Sequence, residues 1–500
     1  MTGRSVSGSR SKTPVDEKGV QRKRIPFLVI ALSIGNSEFP GIDIMKVAKF
    51  GGSSLADGEK IAKVCDIIVA DDDRRIVVVS APGKRDAQDI KITDHLITCG
   101  ENALAGTDDG GALDAIIERF ASIQRELALP SELLETIAEN VRSRVEADRT
   151  HPDRYLDALK AAGEDNCARL VAAELQKRGC PGNYMNPGDA GMLVSAEFGQ
   201  ARLLAESYDN LSSLGESTGI TIFPGFFGYS PDGDVVTFSR GGSDITGAIL
   251  AAAVKAEVYE NFTDVDSVFA VDPRIVPDAR PIAELTYREM RELAYAGFSV
   301  LHDEAIAPAM KAGIPIQIRN THCLEAPGTT ILPEHTPGQT RVTGIASAPG
   351  FCTIYVSKYL MNREIGFGRR LLQILEEEKI SFQHSPSGID NLSIVLSQAE
   401  MSMEKESRVI GRIRNELKAD KVEVERGLAL IMVVGEGMHY SVGVAARATS
   451  AFSESDVNIE MINQGSSEIS MMFGVREEDR ERAIQTLYRA FFDDVENSAL

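Results

Sequence analysis

The chain has 500 residues, of which 43% are hydrophobic, so it is long enough to form several domains with cores of their own. Its 74 acidic residues outnumber its 53 basic residues, and the net charge of -21 argues against an extended nucleic-acid-binding surface. The six cysteines show no metal-ligand spacing, which predicts reduced, mostly buried thiols. No apolar run in the sequence approaches the roughly 20 residues that a membrane span needs.

The first 44 residues are predicted to be a disordered N-terminal extension, of which residues 1–24 are rich in serine, glycine, lysine and arginine. Basic residues 22–24 precede a short apolar run at 25–34, an arrangement that is similar to a secretory signal peptide. The apolar run is short, and the sequence that follows is typical of a cytoplasmic enzyme. We therefore favour a dispensable leader, with Met45 as the natural start, over export.

Strands and helices alternate from residue 45 to residue 330, which predicts an α/β domain with a largely parallel sheet. Predicted strands cover residues 45–50, 75–80, 219–223, 235–238, 257–262 and 313–321. Predicted helices cover residues 58–69, 110–146, 153–178, 245–255 and 287–310, and the one at 110–146 indicates a helical insertion or a lid. Ligands of such sheets bind at the carboxyl ends of the strands, so the loops there carry the candidate site.

Two glycine turns after predicted strands form candidate anion sites. Lys49 ends the first strand beside Gly51 and Gly52, where a lysine and backbone amides suit a phosphate group. A surface lysine is the alternative. Residues 239–244 (SRGGSD) join a strand to a helix whose N-terminus favours an anion, and Arg240 adds a bidentate donor. An ordinary loop with a helix cap is the alternative for this second turn.

Two further stretches carry polar residues at loop positions. A predicted helix breaks at residues 161–165, where Glu164 either forms part of a helix cap or meets a cationic group of a substrate. The loop after the strand at 257–262 is dense in short polar side chains, and Thr263, Asp264 and Asp266 could bind a ribose, base edges or a magnesium shell. A solvated turn is the alternative, since aspartate favours turns through local hydrogen bonds.

The pattern changes after a Pro- and Gly-rich boundary at residues 326–338. Two small β–α–β–β units follow, each with a glycine near the start of its helix, at Gly366 and Gly443. We place these units at residues 341–425 and 426–500. A repeat of small ferredoxin-like units after a catalytic domain suggests regulation rather than chemistry.

The order of these motifs resembles that of the aspartate kinases. The resemblance is carried by residues 49–54 (KFGGSS), 163–164 (GE), 239–244 (SRGGSD), 262–266 (FTDVD), 272–274 (DPR), 287–297 (YREMRELAYAG), 300–302 (VLH), 435–438 (GEGM) and 459–465 (IEMINQG). It implies an α/β fold, with an amino-acid-kinase-type αβα sandwich at 45–335 followed by two ferredoxin-like βαββαβ ACT regulatory domains. It also implies ATP-dependent phosphorylation of the L-aspartate β-carboxylate, the first step towards lysine, threonine, methionine and diaminopimelate.

The resemblance assigns roles by position, with ATP and the Mg²⁺ that it carries as cofactors and with no metal site made by the protein itself. Lys49 and Asp244 would be catalytic, with Lys49 holding the transferring phosphoryl group and Asp244 organising that lysine. Aspartate would be bound by Thr93, Glu164, Arg240 and Ser243, of which Glu164 would meet its ammonium group. The nucleotide would be bound by Lys49, Gly51, Gly52, Ser54, Thr263, Asp264, Phe269, Arg274, Ser299 and Val300.

Some positions depart from the family pattern. Phe269 stands where a tyrosine is usual, and Ser299 where a lysine is usual, which puts one ATP contact in doubt. The family pattern places the effector between ACT domains of paired subunits, against Met361, Glu364, Phe367 and Gln383. Gln383 stands where lysine-sensing relatives have an aspartate, so the choice between lysine and threonine stays open. We expect feedback inhibition and a homodimer or larger homo-oligomer formed through the ACT domains, with no nucleic-acid or membrane partner.

Two other functions are compatible with parts of the sequence. A different kinase of the same fold, such as a glutamate 5-kinase or a carbamate kinase, is disfavoured by Glu164 and by the paired ACT domains. An amino-acid-sensing regulatory protein with an inactive kinase fold is disfavoured by the presence of Lys49, Arg240 and Asp244.

Overall fold

The computed structural model describes residues 45–298, 300–335, 342–465 and 469–493, and all of them belong to one structural unit, Ile44–Leu500. The predicted extension at 1–44 and the predicted nucleotide contact Ser299 lie outside the described residues. Within the described ranges, no helix has the length and apolar character that a membrane crossing requires. All six cysteines are free, and four of them are buried, as predicted.

The first part of the chain forms an α/β sandwich. Its strands are β1 (Lys46–Phe50), β2 (Arg74–Val79), β3 (Gly182–Tyr184), β4 (Ile220–Pro224), β5 (Phe227–Tyr229), β6 (Val235–Thr237), β7 (Val258–Thr263), β8 (Glu284–Thr286), β9 (Ile316–Asn320) and β10 (Thr329–Leu332). Its helices are α1 (Gly58–Val69), α2 (Ile92–Ala105), α3 (Ala112–Glu126), α4 (Ser131–Val145), α5 (Pro152–Lys160), α6 (Ala162–Lys177), α7 (Glu206–Ser212), α8 (Gly242–Val254), α9 (Tyr287–Tyr295) and α10 (Asp303–Ala312).

Eight of these strands form one sheet in the order β3-β4-β2-β1-β7-β9-β10-β8, in which only the β9–β10 pair is antiparallel. The parallel neighbours β1, β2, β4 and β7 therefore present their carboxyl ends at the same edge. Strand β6 lies outside this sheet and pairs with β5 in a two-stranded ribbon. The predicted order of strand, glycine turn and helix is correct around residues 235–255, but the strand belongs to the ribbon.

The two faces of the sheet pack against different helices. Along β2, Ile76 and Val78 belong to the core that includes α8, whereas Val77 and Val79 belong to the core that includes α1 to α6. This alternation follows from the two-residue period of a strand. In β1 the same period puts Ala48 on the α1-to-α6 face and Lys49 on the α8 face. The sheet thus directs Lys49 towards the first turn of α8.

Two predicted helices in this region are interrupted. The helix predicted over residues 110–146 forms two helices, α3 and α4, which are separated by residues 127–130. The expectation of continuous helix over residues 287–310 is wrong, because α9 ends at Tyr295 and α10 begins at Asp303. Gly297 has a φ of +119°, which only glycine adopts without strain. A Cβ at this position would lie 2.6 Å from the carbonyl oxygen of Ser347, so the turn packs closely on the following part of the chain.

The second part of the chain forms two ferredoxin-like units in one five-stranded sheet. Its strands are β11 (Gly344–Ser357), β12 (Asn391–Ser397), β13 (Lys421–Val434), β14 (Met461–Gln464) and β15 (Ser470–Arg476), in the order β12-β11-β13-β15-β14. Its helices are α11 (Phe367–Glu377), α12 (Met403–Leu417), α13 (Val444–Glu454) and α14 (Arg480–Tyr488). Helix α12 was not predicted from the local sequence pattern, although the βαββαβ fold implied by the resemblance includes a second helix in each unit.

The two units share their long central strands. The first half of β11, up to Ala348, pairs with the last residues of β13, whereas its second half, from Phe351, pairs with the beginning of β13 and with β12. The irregularity between Ala348 and Phe351 separates the halves. The second unit therefore takes one strand from residues 344–348, and the predicted division at residue 425 falls inside β13 and stays a prediction.

Candidate active site

The centre of the candidate site is an ion pair between Lys49 and Asp244. The Nζ atom of Lys49 lies 2.5 Å from Oδ1 of Asp244, and the lysine is 7% exposed. Lys49 comes from the end of β1, and Asp244 comes from the first turn of α8. A buried ammonium group needs a partner of opposite charge, and the carboxylate of Asp244 is that partner.

The turn before α8 is built by close packing. Gly241 has a φ of +81°, and a Cβ there would lie 2.6 Å from the Cβ of His302. A Cβ on Gly242 would lie 2.6 Å from the ring of Phe226. The turn therefore has no room for side chains at either glycine, and the two positions set the direction in which the N-terminus of α8 points.

A second close approach joins the loops after β1 and β2. The amide of Gly83 donates to the carbonyl of Gly52 at 2.8 Å, and a Cβ on Gly83 would lie 2.6 Å from the carbonyl carbon of Gly52. The N–H group of Gly51 donates to the Phe262 carbonyl at 3.1 Å, so it is not free to bind a phosphate as predicted. The N–H group of Gly52 has no hydrogen-bond partner among the described residues.

The hydroxyl group of Ser54 is also engaged within the protein. Ser54 is fully buried, and its Oγ lies 2.7 Å from Oγ1 of Thr321. The structure therefore places this predicted nucleotide contact behind the glycine turn, where its side chain connects the turn to the segment after β9.

Glu164 is a buried carboxyl group with spare hydrogen-bonding capacity. It lies in the first turn of α6, where the nearby backbone N–H groups of Ala81 and of Glu164 itself act to lower its pKa, against the larger opposite effect of burial. Its Oε2 atom has no partner in the described part of the chain. Burial raises the pKa of Glu164 to about 8, against an ordinary value of 4.5. A cationic group placed beside Oε2 would supply the missing partner.

The other residues predicted to bind aspartate lie at or beside the N-termini of α2 and α8. Thr93 is half-buried in the first turn of α2, and a Cβ on Gly163 would lie 3.6 Å from Cγ2 of the adjacent Ile92. Ser243 is buried in the first turn of α8, whereas Arg240 is exposed. Arg240 lines a cavity of about 420 Å³ together with Asp244 and the α9–α10 connection.

A second cavity, of about 310 Å³, contains three predicted nucleotide contacts, Phe269, Arg274 and Val300. Arg274 forms a 2.7 Å ion pair with Asp272. The cavity is also lined by residues of the second part of the chain, namely Ile345, Ser347 and Ile484. Its size is in the range of small-molecule sites. Thr263 and Asp264 do not line it, and they contact each other at 3.2 Å between Oγ1 and Oδ1.

The predicted effector residues fall into two groups. Glu364 pairs with Lys358 at 2.5 Å and with Arg370, and the Lys358 ammonium lies 5.7 Å from the centre of the Phe367 ring. Met361 and Phe367 are buried in the core of the first unit. Gln383 instead accepts a hydrogen bond from the hydroxyl of Tyr295, at the end of α9.

Two residues beside the site were not among the sequence candidates. Asn261, on β7, donates a hydrogen bond to Asp244. Tyr295 links the kinase part to Gln383 and also stacks edge-on against His384. An amide side chain in a strand that is buried at all positions but its last is the signal that could have indicated Asn261. The contact made by Tyr295 joins residues that are distant in sequence, and no local pattern indicates it.

Comparison with known proteins identifies the family. The amino acid kinase family matches residues 45–320, and the ACT domain matches residues 431–491. Aspartokinase 3 of Bacillus subtilis (strain 168) is 55% identical over 451 residues, which cover 90% of this chain and 99% of that protein. Aspartokinase 1, chloroplastic, of Arabidopsis thaliana is 28% identical over 91% of this chain and 81% of its own.

Solved structures give the same result. The aspartate kinase of Clostridium acetobutylicum is 37% identical, with a TM-score of 0.75 over 90% of this chain and 100% of its own. Aspartokinase III of E. coli in complex with aspartate and ADP is 27% identical, also with a TM-score of 0.75 over 90% of this chain and 100% of its own. The predicted fold class is confirmed, and the chain belongs to the aspartate kinases, enzymes of the amino acid kinase family that carry ACT domains.

Proposed function

We propose that the protein transfers the γ-phosphoryl group of ATP to the β-carboxylate of L-aspartate, giving 4-phospho-L-aspartate and ADP. The observation that carries this proposal is the buried Lys49–Asp244 pair at the N-terminus of α8, where the carboxyl ends of β1 and β7 meet. A relative of the same family, E. coli aspartokinase III, has been solved in complex with aspartate and ADP.

The residues present suit a reaction that needs positioning more than covalent catalysis. A carboxylate oxygen of aspartate attacks the γ-phosphorus, and the bond from that phosphorus to the leaving oxygen of ADP breaks. Lys49 would neutralise charge on the transferring group, and the free amide of Gly52 would add a donor. Because the substrate itself supplies the nucleophile, no serine, cysteine or histidine nucleophile is required.

Aspartate would be recognised through its charges. Its ammonium group would meet Oε2 of Glu164, which lacks a partner within the described residues, and a carboxylate would meet Arg240. Ser243 and Thr93 lie in the first turns of α8 and α2, where they would add hydroxyl groups. An ammonium group would compensate the buried carboxylate and so favour its charged form.

The nucleotide would occupy the cavity that Phe269, Arg274 and Val300 line. Mg²⁺ would come with the nucleotide and reduce the negative charge of its phosphates. An ion that arrives with the nucleotide would be held mainly by phosphate oxygens and water.

Regulation would act through the ACT units. E. coli aspartokinase III has also been solved with lysine and aspartate, at 27% identity and a TM-score of 0.72, and lysine is therefore the effector that we propose to test first. Helix α9 contacts both units: Glu289 accepts from the Thr343 hydroxyl at 2.7 Å, and Tyr295 donates to Gln383. The connection after α9 lines both cavities of the kinase part, so a shift of α9 would reach both substrates.

We further propose that the protein is a cytoplasmic homodimer, paired through its ACT units, at the start of lysine, threonine, methionine and diaminopimelate synthesis. Large apolar side chains are exposed at one end of the first unit, among them Tyr359, Ile365 and Ile389. The backbone amide of Asn362 donates to the carbonyl of Ile389 at 3.1 Å, so the loop with Tyr359 and Ile365 adjoins the turn with Ile389. Contact with a second chain would cover them.

A hydroxylamine-trapping assay tests the reaction. Acyl phosphates react with hydroxylamine, so ATP and aspartate should yield aspartyl hydroxamate, whereas ATP and glutamate should yield no hydroxamate. Lysine and threonine are added separately and together to identify the effector. Hydroxamate formation with ATP and glutamate, but not with ATP and aspartate, would contradict the proposal. Failure to form product, combined with binding of lysine or threonine, would favour a regulatory protein without kinase activity.

A further inference from the structure

Asn261 occupies a position from which it contacts the catalytic pair. It lies on β7 directly opposite Lys49 of the neighbouring strand β1, and it is 1% exposed. Its Nδ2 atom donates to Oδ1 of Asp244 at 2.9 Å. The same oxygen is the one that lies 2.5 Å from Nζ of Lys49. One carboxylate oxygen thus receives two donors, one from each of the two central strands.

The backbone of Asp244 is held from the same strand. The hydroxyl of Tyr259, two residues before Asn261 and on the same face of β7, donates to the carbonyl oxygen of Asp244 at 3.1 Å. A Cβ on Gly247 would lie 2.5 Å from the Tyr259 ring, so the glycine in α8 leaves the space that this ring fills. Strand β7 therefore holds Asp244 at two atoms, one in its side chain and one in its backbone.

The two contacts with Asp244 have different consequences for the site. The Tyr259 contact secures the first turn of α8, but it leaves the Asp244 carboxylate free to rotate about its last side-chain bond. The Asn261 contact removes that freedom, because the amide keeps Oδ1 directed at the position that faces Lys49. A fixed acceptor in turn limits the positions that the long, flexible lysine side chain can take.

The second amide atom of Asn261 is also informative. Its Oδ1 is buried and has no hydrogen-bond partner among the residues that the structure describes. Leaving a buried carbonyl oxygen unpaired costs free energy. A leucine has a similar size and does not carry this cost, so packing alone would not favour asparagine at this position. The described contact that favours asparagine over leucine at this position is the hydrogen bond that its N–H group donates to Asp244.

We propose that Asn261 is a positioning residue for phosphoryl transfer, which fixes the Asp244 carboxylate and through it the Lys49 ammonium group. The inference rests on the proposed roles of Lys49 and Asp244. It assigns to Asn261 an effect on the rate of the chemical step, with little effect on the binding of aspartate or ATP, because no described contact connects Asn261 with the predicted aspartate residues or the nucleotide cavity.

The test measures kcat and both KM values for N261L, N261D and Y259F beside the wild-type enzyme. N261L removes the donor at similar volume, and kcat should fall about 10- to 100-fold, the effect of losing a hydrogen bond to a charged group. N261D keeps the shape but places a second acceptor against Asp244, so its kcat should fall further. Both KM values should stay within about threefold, as expected for an interaction that acts only on the chemical step.

Y259F is the matched comparison, because it removes a hydrogen bond to the same residue without touching the carboxylate. Its kcat should fall less than that of N261L. Thermal unfolding and calorimetric aspartate binding establish that each variant is folded, and N261D decides the question if N261L does not fold. A folded N261D or N261L with wild-type kcat, a loss confined to KM, or an equal fall in Y259F would overturn the inference.

The same measurements separate this inference from the proposed function. A wild-type enzyme that forms no aspartyl hydroxamate overturns both. A wild-type enzyme that phosphorylates aspartate, together with an N261L variant of equal kcat, overturns the role of Asn261 alone.

Discussion

The catalytic site and the predicted effector site are built from opposite kinds of surface. Around Lys49 the charged groups are buried and paired within one chain, and β1, β7 and α8 fix their positions. Around the predicted effector loop, by contrast, apolar side chains are exposed: Ile365 is 96% exposed and Tyr359 is 75% exposed.

This difference indicates how the two sites would be completed. The predicted catalytic residues need substrates but no second chain, because the Lys49–Asp244 pair and the Glu164 carboxyl group come from the same kinase sheet and its helices. The effector loop exposes apolar area that a neighbouring chain would cover. A change at the first site should therefore affect the reaction itself, whereas a change at the second should affect regulation.

The largest effect is expected for Lys49→Met. Removal of the ammonium group that neutralises the transferring phosphoryl group should lower kcat about 1,000-fold. Lys46→Met is the matched control, since Lys46 lies on the same strand but its Nζ contacts Asp71 at 2.8 Å. The control should keep a kcat close to that of the wild type. Equal losses in the two variants would show that the strand, and not the charge at its end, limits the rate.

A smaller but specific effect is expected for Glu164→Gln. This substitution removes the carboxylate that would meet the ammonium group of aspartate, and the KM for aspartate should rise about 100-fold. The KM for ATP serves as the internal control, because Glu164 does not line the nucleotide cavity. A parallel rise in both KM values would contradict the assignment of Glu164 to aspartate.

The pH dependence of aspartate binding should come from the same carboxyl group. Burial raises the pKa of Glu164 from 4.5 to about 8. Between these two pH values the folded protein binds more protons at this group than the unfolded chain does. The contribution of Glu164 to the free energy of unfolding therefore falls as the pH rises from 4.5 to about 8. Aspartate binds the ionised form, so its affinity should rise from pH 6 to pH 8 with proton release. Calorimetry in buffers of different ionisation enthalpy measures that proton, and its absence would contradict the prediction.

The smallest effect is expected for Tyr295→Phe. The substitution removes the hydroxyl that contacts Gln383, and the lysine concentration for half-inhibition should change by up to about tenfold, the effect of one neutral hydrogen bond. Tyr208→Phe is the control, because its hydroxyl makes no hydrogen bond within the described ranges. Unchanged inhibition in the Tyr295 variant would exclude this contact from the regulatory route.

The sequence predicted those parts of the molecule that depend on local pattern. The strands β1 and β7 and the helix after Gly241 follow from apolar runs and glycine turns, and the structure has them within a few residues of where they were expected. The break at Gly297 was missed because the helical pattern continues in the side chains on both sides of it. The positive φ of Gly297 is associated with its close packing against Ser347, a residue distant in sequence that the local pattern does not reveal.

Contacts between distant segments were beyond local pattern. The pairing of residues 344–348 with the end of β13 depends on how two units share a sheet, and consecutive units were the simpler expectation. The engagement of the Gly51 amide by Phe262 likewise requires β1 and β7 to be neighbours. The hydrogen bond from Asn261 to Asp244 similarly requires β7 to lie beside the first turn of α8.

The contrast between the two sites is tested most directly by Ile365→Glu, which places a charge where a partner chain is expected to pack. Aspartyl hydroxamate formation is measured with increasing lysine, on protein whose mass is determined by light scattering. The expected result is the mass of one 54.1 kDa chain, catalytic activity close to wild type and loss of inhibition by lysine. A variant that stays dimeric and sensitive to lysine, or a single chain without catalytic activity, would contradict it.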